Sequence, residues 1–122
     1  MDSIAEGLKA RTKQFAVAVF DFIDSLPRTP AGETVARQLA RSGTGVAGNY
    51  RSACRARSHA EFTARIGIVL EEADESELWF EVADARAMGD APTRARLLDE
   101  SSQLRAIFAK AYATARARHK PR

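Results

Sequence analysis

The sequence predicts an all-α protein folded as an antiparallel up-down-up-down four-helix bundle, and three observations carry the prediction. Apolar side chains recur at helical spacing through four long segments. Start and stop signals separate those segments by only a few residues. No stretch alternates apolar and polar residues for long enough to make a strand. Long amphipathic helices with short joints pack as neighbours of alternating direction.

The first helix is expected over residues 3–26. Ser3 and Glu6 have capping-box spacing, and Leu8, Phe15, Val19, Phe22 and Leu26 share one face. Pro27 ends it, because a proline disfavours the α conformation in the residue before it. Thr29 and Pro30 supply an N-cap and a first helical residue for the second helix, which should run to about residue 56 with Val35, Leu39, Val46 and Tyr50 inward. Ser58 and Glu61 repeat the capping box after a tight joint. The third helix then carries Phe62, Ile66, Val69, Ala73, Ser76, Phe80 and Ala83 on its core face, with Gly89 as its stop. Pro92 belongs to the next turn or to the first turn of the last helix. Leu97, Ser101, Leu104, Phe108, Ala111 and Tyr112 form the inward stripe of that helix.

The 122 residues fit a single domain, 1–122, with a basic tail at 117–122 expected to be disordered. No apolar run is long enough for a bilayer, and the N-terminal residues lack the apolar stretch of a signal peptide. A lone cysteine, Cys54, excludes an internal disulfide and fits a reducing cytoplasm, where the protein is expected. A formal charge of +3 is a mild bias, short of an obligate nucleic-acid binder's excess.

Gly43, Gly45 and Gly48 match the dinucleotide fingerprint G-x-G-x-x-G in spelling. A phosphate-binding loop needs a buried strand before the first glycine and a helix starting after it. Here the preceding residues, 33–42, have helical periodicity, and no later strand supplies a ribose-binding carboxylate. The glycines therefore read as packing residues. Ala36, Ala40, Gly43 and Ala47 step by 4, 3 and 4, a stripe of minimal side chains that lets another helix backbone approach closely.

Other catalytic readings lack their residues. A di-iron bundle needs inward Glu-x-x-His pairs, and neither His59 nor His119 follows a glutamate by three. No Ser–His–Asp or Cys–His set is apparent, so the protein is expected to be non-enzymatic, without metal or cofactor. Cys54 reads as a small buried residue.

Arg37, Arg41, Arg51, Arg55 and Arg57 crowd residues 31–57, opposed there by Glu33 alone. They suit either a groove for phosphates or a solvated face pairing with acidic groups of the next helix. Arg116, Arg118 and Lys120 lie where cations complement a helix C-terminus, or form an arm for RNA or DNA. The third helix is acidic, yet Ile68, Trp79 and Val82 lie on one flank of it, with Leu78 near the back. These four are the expected oligomer interface, the competing reading being that a helix of the same bundle covers Trp79.

Gln38, Leu39, Arg41, Ser42, Gly43 and Thr44, followed by Val46, Ala47, Asn49, Tyr50 and Arg51, resemble the signature of the four-helix-bundle proteins encoded in intervening sequences of bacterial 23S ribosomal RNA genes. Ser58, Glu61 and Phe62, and then Glu72, Ala73, Glu75, Ser76 and Trp79, fit the same pattern at matching distances. The similarity covers about residues 8–115, and Gly45 and Gly48 depart from the usual spelling. A related branch, the accessory variability proteins of diversity-generating retroelements, forms homopentameric barrels that bind nucleic acid and a reverse transcriptase through basic surfaces. The resemblance thus implies a homopentamer, nucleic acid as a partner and a reverse transcriptase as a possible protein partner. The rival expectation is a protein-interaction scaffold with no nucleic-acid role, such as an accessory subunit of a larger complex.

Overall fold

A computed structural model describes residues 3–118. The four helices are α1 (Ser3–Ile23), α2 (Pro30–Cys54), α3 (His59–Ala85) and α4 (Ala91–Arg118), and no strand occurs among the described residues. This is the all-α four-helix bundle that the periodicity predicts. Each helix packs on its sequence neighbour, and α1 closes the ring on α4 much more sparsely. α1 and α3 consequently stand diagonally across the bundle, as do α2 and α4.

Local chemistry sets the helix ends. The Thr29 side chain accepts from the Gly32 amide at 3.1 Å with Pro30 opening the helix, and Ser58 Oγ accepts from the Glu61 amide at 3.0 Å. Asp90 caps α4, accepting from the amide and hydroxyl of Thr93 at 3.1 and 2.6 Å; these bonds hold its carboxyl below the ordinary range. Ser3 is the first described helical residue, so a cap preceding it lies outside the described residues.

Three helices end earlier than expected; α2 stops at Cys54, which leaves Arg55 and Arg57 in the joint that follows. α1 stops at Ile23, and its next three residues tighten into turns, with Ser25 N–H donating to Phe22 and Leu26 N–H to Ile23. α3 stops at Ala85, ahead of Gly89. Met88 N–H donates to the Ala83 carbonyl and Ala87 N–H to that of Asp84, a Schellman closure whose left-handed residue is Ala87, at φ 51°. Gly89 follows at φ 76°, where an added Cβ would also stand 2.7 Å from the Phe22 ring.

The core collects the predicted stripes. Phe15, Val19 and Phe22 meet Val35, Leu39, Val46 and Tyr50, while α3 and α4 contribute Ile66, Val69, Phe80, Leu97, Leu104 and Phe108. Phe80 sits against both Phe22 and Phe15, with ring centroids 5.4 and 6.4 Å away, and Tyr50 packs on Phe108 at 5.4 Å. Four small hydroxyl residues, Thr12, Ser42, Ser76 and Ser101, are buried with the core. Ser42 and Ser76 lie buried with their oxygens in hydrogen-bond contact at 2.9 Å.

Candidate nucleic-acid interface and assembly faces

The glycine-rich stretch lies inside the unbroken helix α2, where its backbone is committed to the helix and presents no phosphate-binding loop. Gly43 is buried, and a Cβ there would meet Val19 atoms at 3.0, 3.1 and 3.3 Å, so this glycine sets the approach of α1 to α2. Ala36, Ala40 and Ala47 are half-buried beside it. At Gly45 a Cβ would fall 2.6 Å from a Glu72 carboxylate oxygen. The bare backbone thus makes room for that side chain. No group of three or more metal-ligating side chains occurs among the described residues.

Glu72 explains Arg41. The Arg41 guanidinium lies 3.3 Å from Glu72 and also pairs with Glu75, binding α2 to α3. Burial pushes the Glu72 carboxyl up, and Arg41 opposes that shift. On the far side of α3, Arg105 of α4 pairs with Glu77 at 2.5 Å. Much of the acidic face of α3 is therefore matched by arginines of its own bundle. Arg41 belongs to that matching, as the solvated-face reading expects.

The remaining arginines behave differently. Arg37 is exposed, with a long contact of 3.4 Å to Thr34 Oγ1, near the end of the bundle where α2 begins. Arg51, Arg55 and Arg57 are exposed at the opposite end, and among the described residues only Arg57 has a carboxylate at ion-pair distance, Glu61 at 3.9 Å. Arg116 and Arg118 reach this same end. There His59 Nε2 lies 2.9 Å from the Ala115 carbonyl, joining the start of α3 to the last turns of α4. The Arg116 guanidinium stands over the Tyr112 ring at 5.5 Å. Lys120 lies outside the described residues.

The four expected interface residues divide. Ile68 and Leu78 are 37% and 50% exposed, whereas Trp79 and Val82 are half-buried against the core of their own bundle. The outer side of α1 adds two apolar residues that the stripe analysis missed, Val17 at 56% and Phe20 at 48% exposure. Their signal was present in residues 16–20, where apolar side chains continue around the helix beyond the inward face. Cys54 is half-buried, not sealed in the core, beside Tyr50 and Phe62 at the end where α2 stops. No helix is long and apolar enough to cross a membrane among the described residues.

The class defined by these features is a charged four-helix bundle with exposed apolar side chains on its outer faces. The chain belongs to the 23S rRNA-intervening sequence protein family, whose model matches residues 2–110. A crystal structure of a protein of unknown function from the S23 ribosomal protein family, from Bacteroides thetaiotaomicron, is similar to it. That likeness has a TM-score of 0.77 and 25% identity, covering 86% of this chain and 97% of that one. No curated protein matches.

Proposed function

We propose that this protein is a non-enzymatic oligomeric scaffold that binds RNA or DNA weakly and without base specificity. The observation that carries the nucleic-acid reading is the set of exposed arginines at positions 51, 55 and 57, answered at ion-pair distance, among the described residues, only by Glu61. Arginines held by the bundle, such as Arg41, have their charge matched; unmatched ones have no ion pair to give up when they meet phosphate and release its counterions. The oligomer reading is supported by Val17 and Phe20 on α1 and by Ile68 and Leu78 on α3. They lie on two different helices, which gives the two distinct patches that a repeated head-to-tail contact uses. Five subunits is the count we propose, by the resemblance to the accessory variability proteins.

Titrating labelled RNA and DNA at several salt concentrations tests the reading. Log affinity should fall linearly with log salt, with similar slopes for unrelated sequences. Absence of binding even at low salt would favour the protein-interaction scaffold, with an acidic protein or a reverse transcriptase as its partner.

A further inference from the structure

The charges of this chain are sorted along the bundle axis. At one end α1 and α3 begin and α2 and α4 finish, as shown by Ala5, Glu6 and Lys9 lining one hollow with Ala53, Cys54 and Phe62, and by the His59–Ala115 contact. Residues 3–10, 48–67 and 108–118 make up this end, and they carry eight cations against two carboxylates. Both carboxylates are engaged, Glu6 with Lys9 at 3.0 Å and Glu61 with Arg57 at 3.9 Å. Arg51, Arg55, Arg65 and Lys110 have no carboxylate at ion-pair distance among the described residues. At the other end, residues 17–38 and 78–99 carry five cations against seven carboxylates. The mild overall charge conceals this asymmetry.

Helix dipoles do not account for it. Each terminus contributes about half an elementary charge, and two helices start where two finish, so their contributions at this end cancel to first order. A surplus of six cations far exceeds what the ends of α2 and α4 need. Nor does the acidic end neutralise it. At about 1.5 Å per residue, the 28 residues of α4 span roughly 42 Å, several times the Debye length of about 8 Å in physiological salt. A polyanion at the basic end is therefore screened from the carboxylates at the far end.

We propose that this end of the bundle, and not the α2 flank around Arg37 and Arg41, receives the phosphate backbone of a nucleic acid. The inference rests on the nucleic-acid reading above and adds where and in what orientation the strand is met. Arg55 and Arg57 lie in the joint between α2 and α3, Arg51 precedes them by one turn, and Arg116 and Arg118 approach from α4. The contact is end-on, with phosphates held by exposed guanidinium groups.

Two charge-matched variants test it. Arg51→Gln/Arg55→Gln/Arg57→Gln removes three charges from the basic end, and Arg28→Gln/Arg37→Gln/Arg96→Gln removes three exposed charges from the other. Both are checked for unchanged circular dichroism and titrated with fluorescein-labelled oligouridylate. At about 50 mM salt the first should bind roughly tenfold more weakly than wild type, with a salt slope flatter by about 2, from three phosphate contacts at ~0.7 each. The second should stay within about threefold, since charge remote from the contact acts only through screened potentials. Equal weakening by both variants, or none by the first while wild type binds, overturns the assignment to this end and leaves the nucleic-acid reading standing. Failure of wild type to bind overturns both. Displacement of the RNA by polyglutamate at equal charge concentration would show an acidic protein segment to be the occupant and overturn the phosphate assignment.

Discussion

At the residue scale, the three glycines of α2 share a spelling and differ in physics. Gly43 faces Val19 with no space for a side chain, Gly45 faces the Glu72 carboxylate, and Gly48 is exposed with nothing within 4 Å of an added Cβ. Gly48→Ala should therefore stabilise the fold by about 0.5–1 kcal/mol, the helical difference between these residues with no steric cost. Gly43→Leu should destabilise it by about 1–3 kcal/mol or more through overpacking against α1. Urea denaturation of both variants checks the pair, and a stability loss in Gly48→Ala would refute the contact description. The small-residue stripe in the sequence marked Gly43 as a packing position. It did not mark Gly45, because the partner is a carboxylate on another helix and no spacing within α2 reveals it.

At the element scale, periodicity and capping residues specified four helices and most of their buried faces, whereas two of the ends depended on tertiary packing. Gly89 reads as the stop of α3, yet the chain turns two residues sooner, at Ala87. The early turn brings Met88 into the core, where it is 7% exposed, as a Schellman closure commonly does with the residue after its left-handed one. Burial of Met88 outweighs the strain of a left-handed alanine, and local sequence carries no sign of that balance. Ala87→Gly should relieve the strain and raise stability by about 0.5–1 kcal/mol. A loss of stability measured by thermal or urea unfolding would show that Ala87 is unstrained. The buried hydroxyls were only partly legible. Ser76 and Ser101 fall on inward stripes of the sequence, whereas Ser42 and Thr12 carry no such mark, because polar residues usually face out.

At the scale of the whole molecule, the candidate site was legible as a list of arginines and not as a surface. Residues 37, 41 and 51 lie on α2, with 55 and 57 just past its end, but Arg41 is held by α3 and Arg37 stands at the other end. The basic end takes its charge from all four helices and the α2–α3 joint, a grouping that only the antiparallel fold assembles. The assembly faces show the same limit. Trp79, the most conspicuous apolar residue of α3, is half-buried in its own bundle, while Leu78, Phe20 and Val17 remain out. Trp79→Glu would disturb the core together with any interface, so Phe20→Glu and Leu78→Glu are the cleaner probes. Burying each of these two side chains in a contact is worth about 1.5–3 kcal/mol. Cyclic symmetry about an axis running with the helices would set every basic end on one side of a ring, multiplying a phosphate contact that one subunit makes weakly. The most direct test of this account is the molar mass in solution, measured by multi-angle light scattering at micromolar concentration. The account predicts a wild-type particle about five times the 13.3 kDa chain, and smaller species of unchanged helical content for Phe20→Glu and Leu78→Glu. A wild-type mass of 13.3 kDa would contradict it.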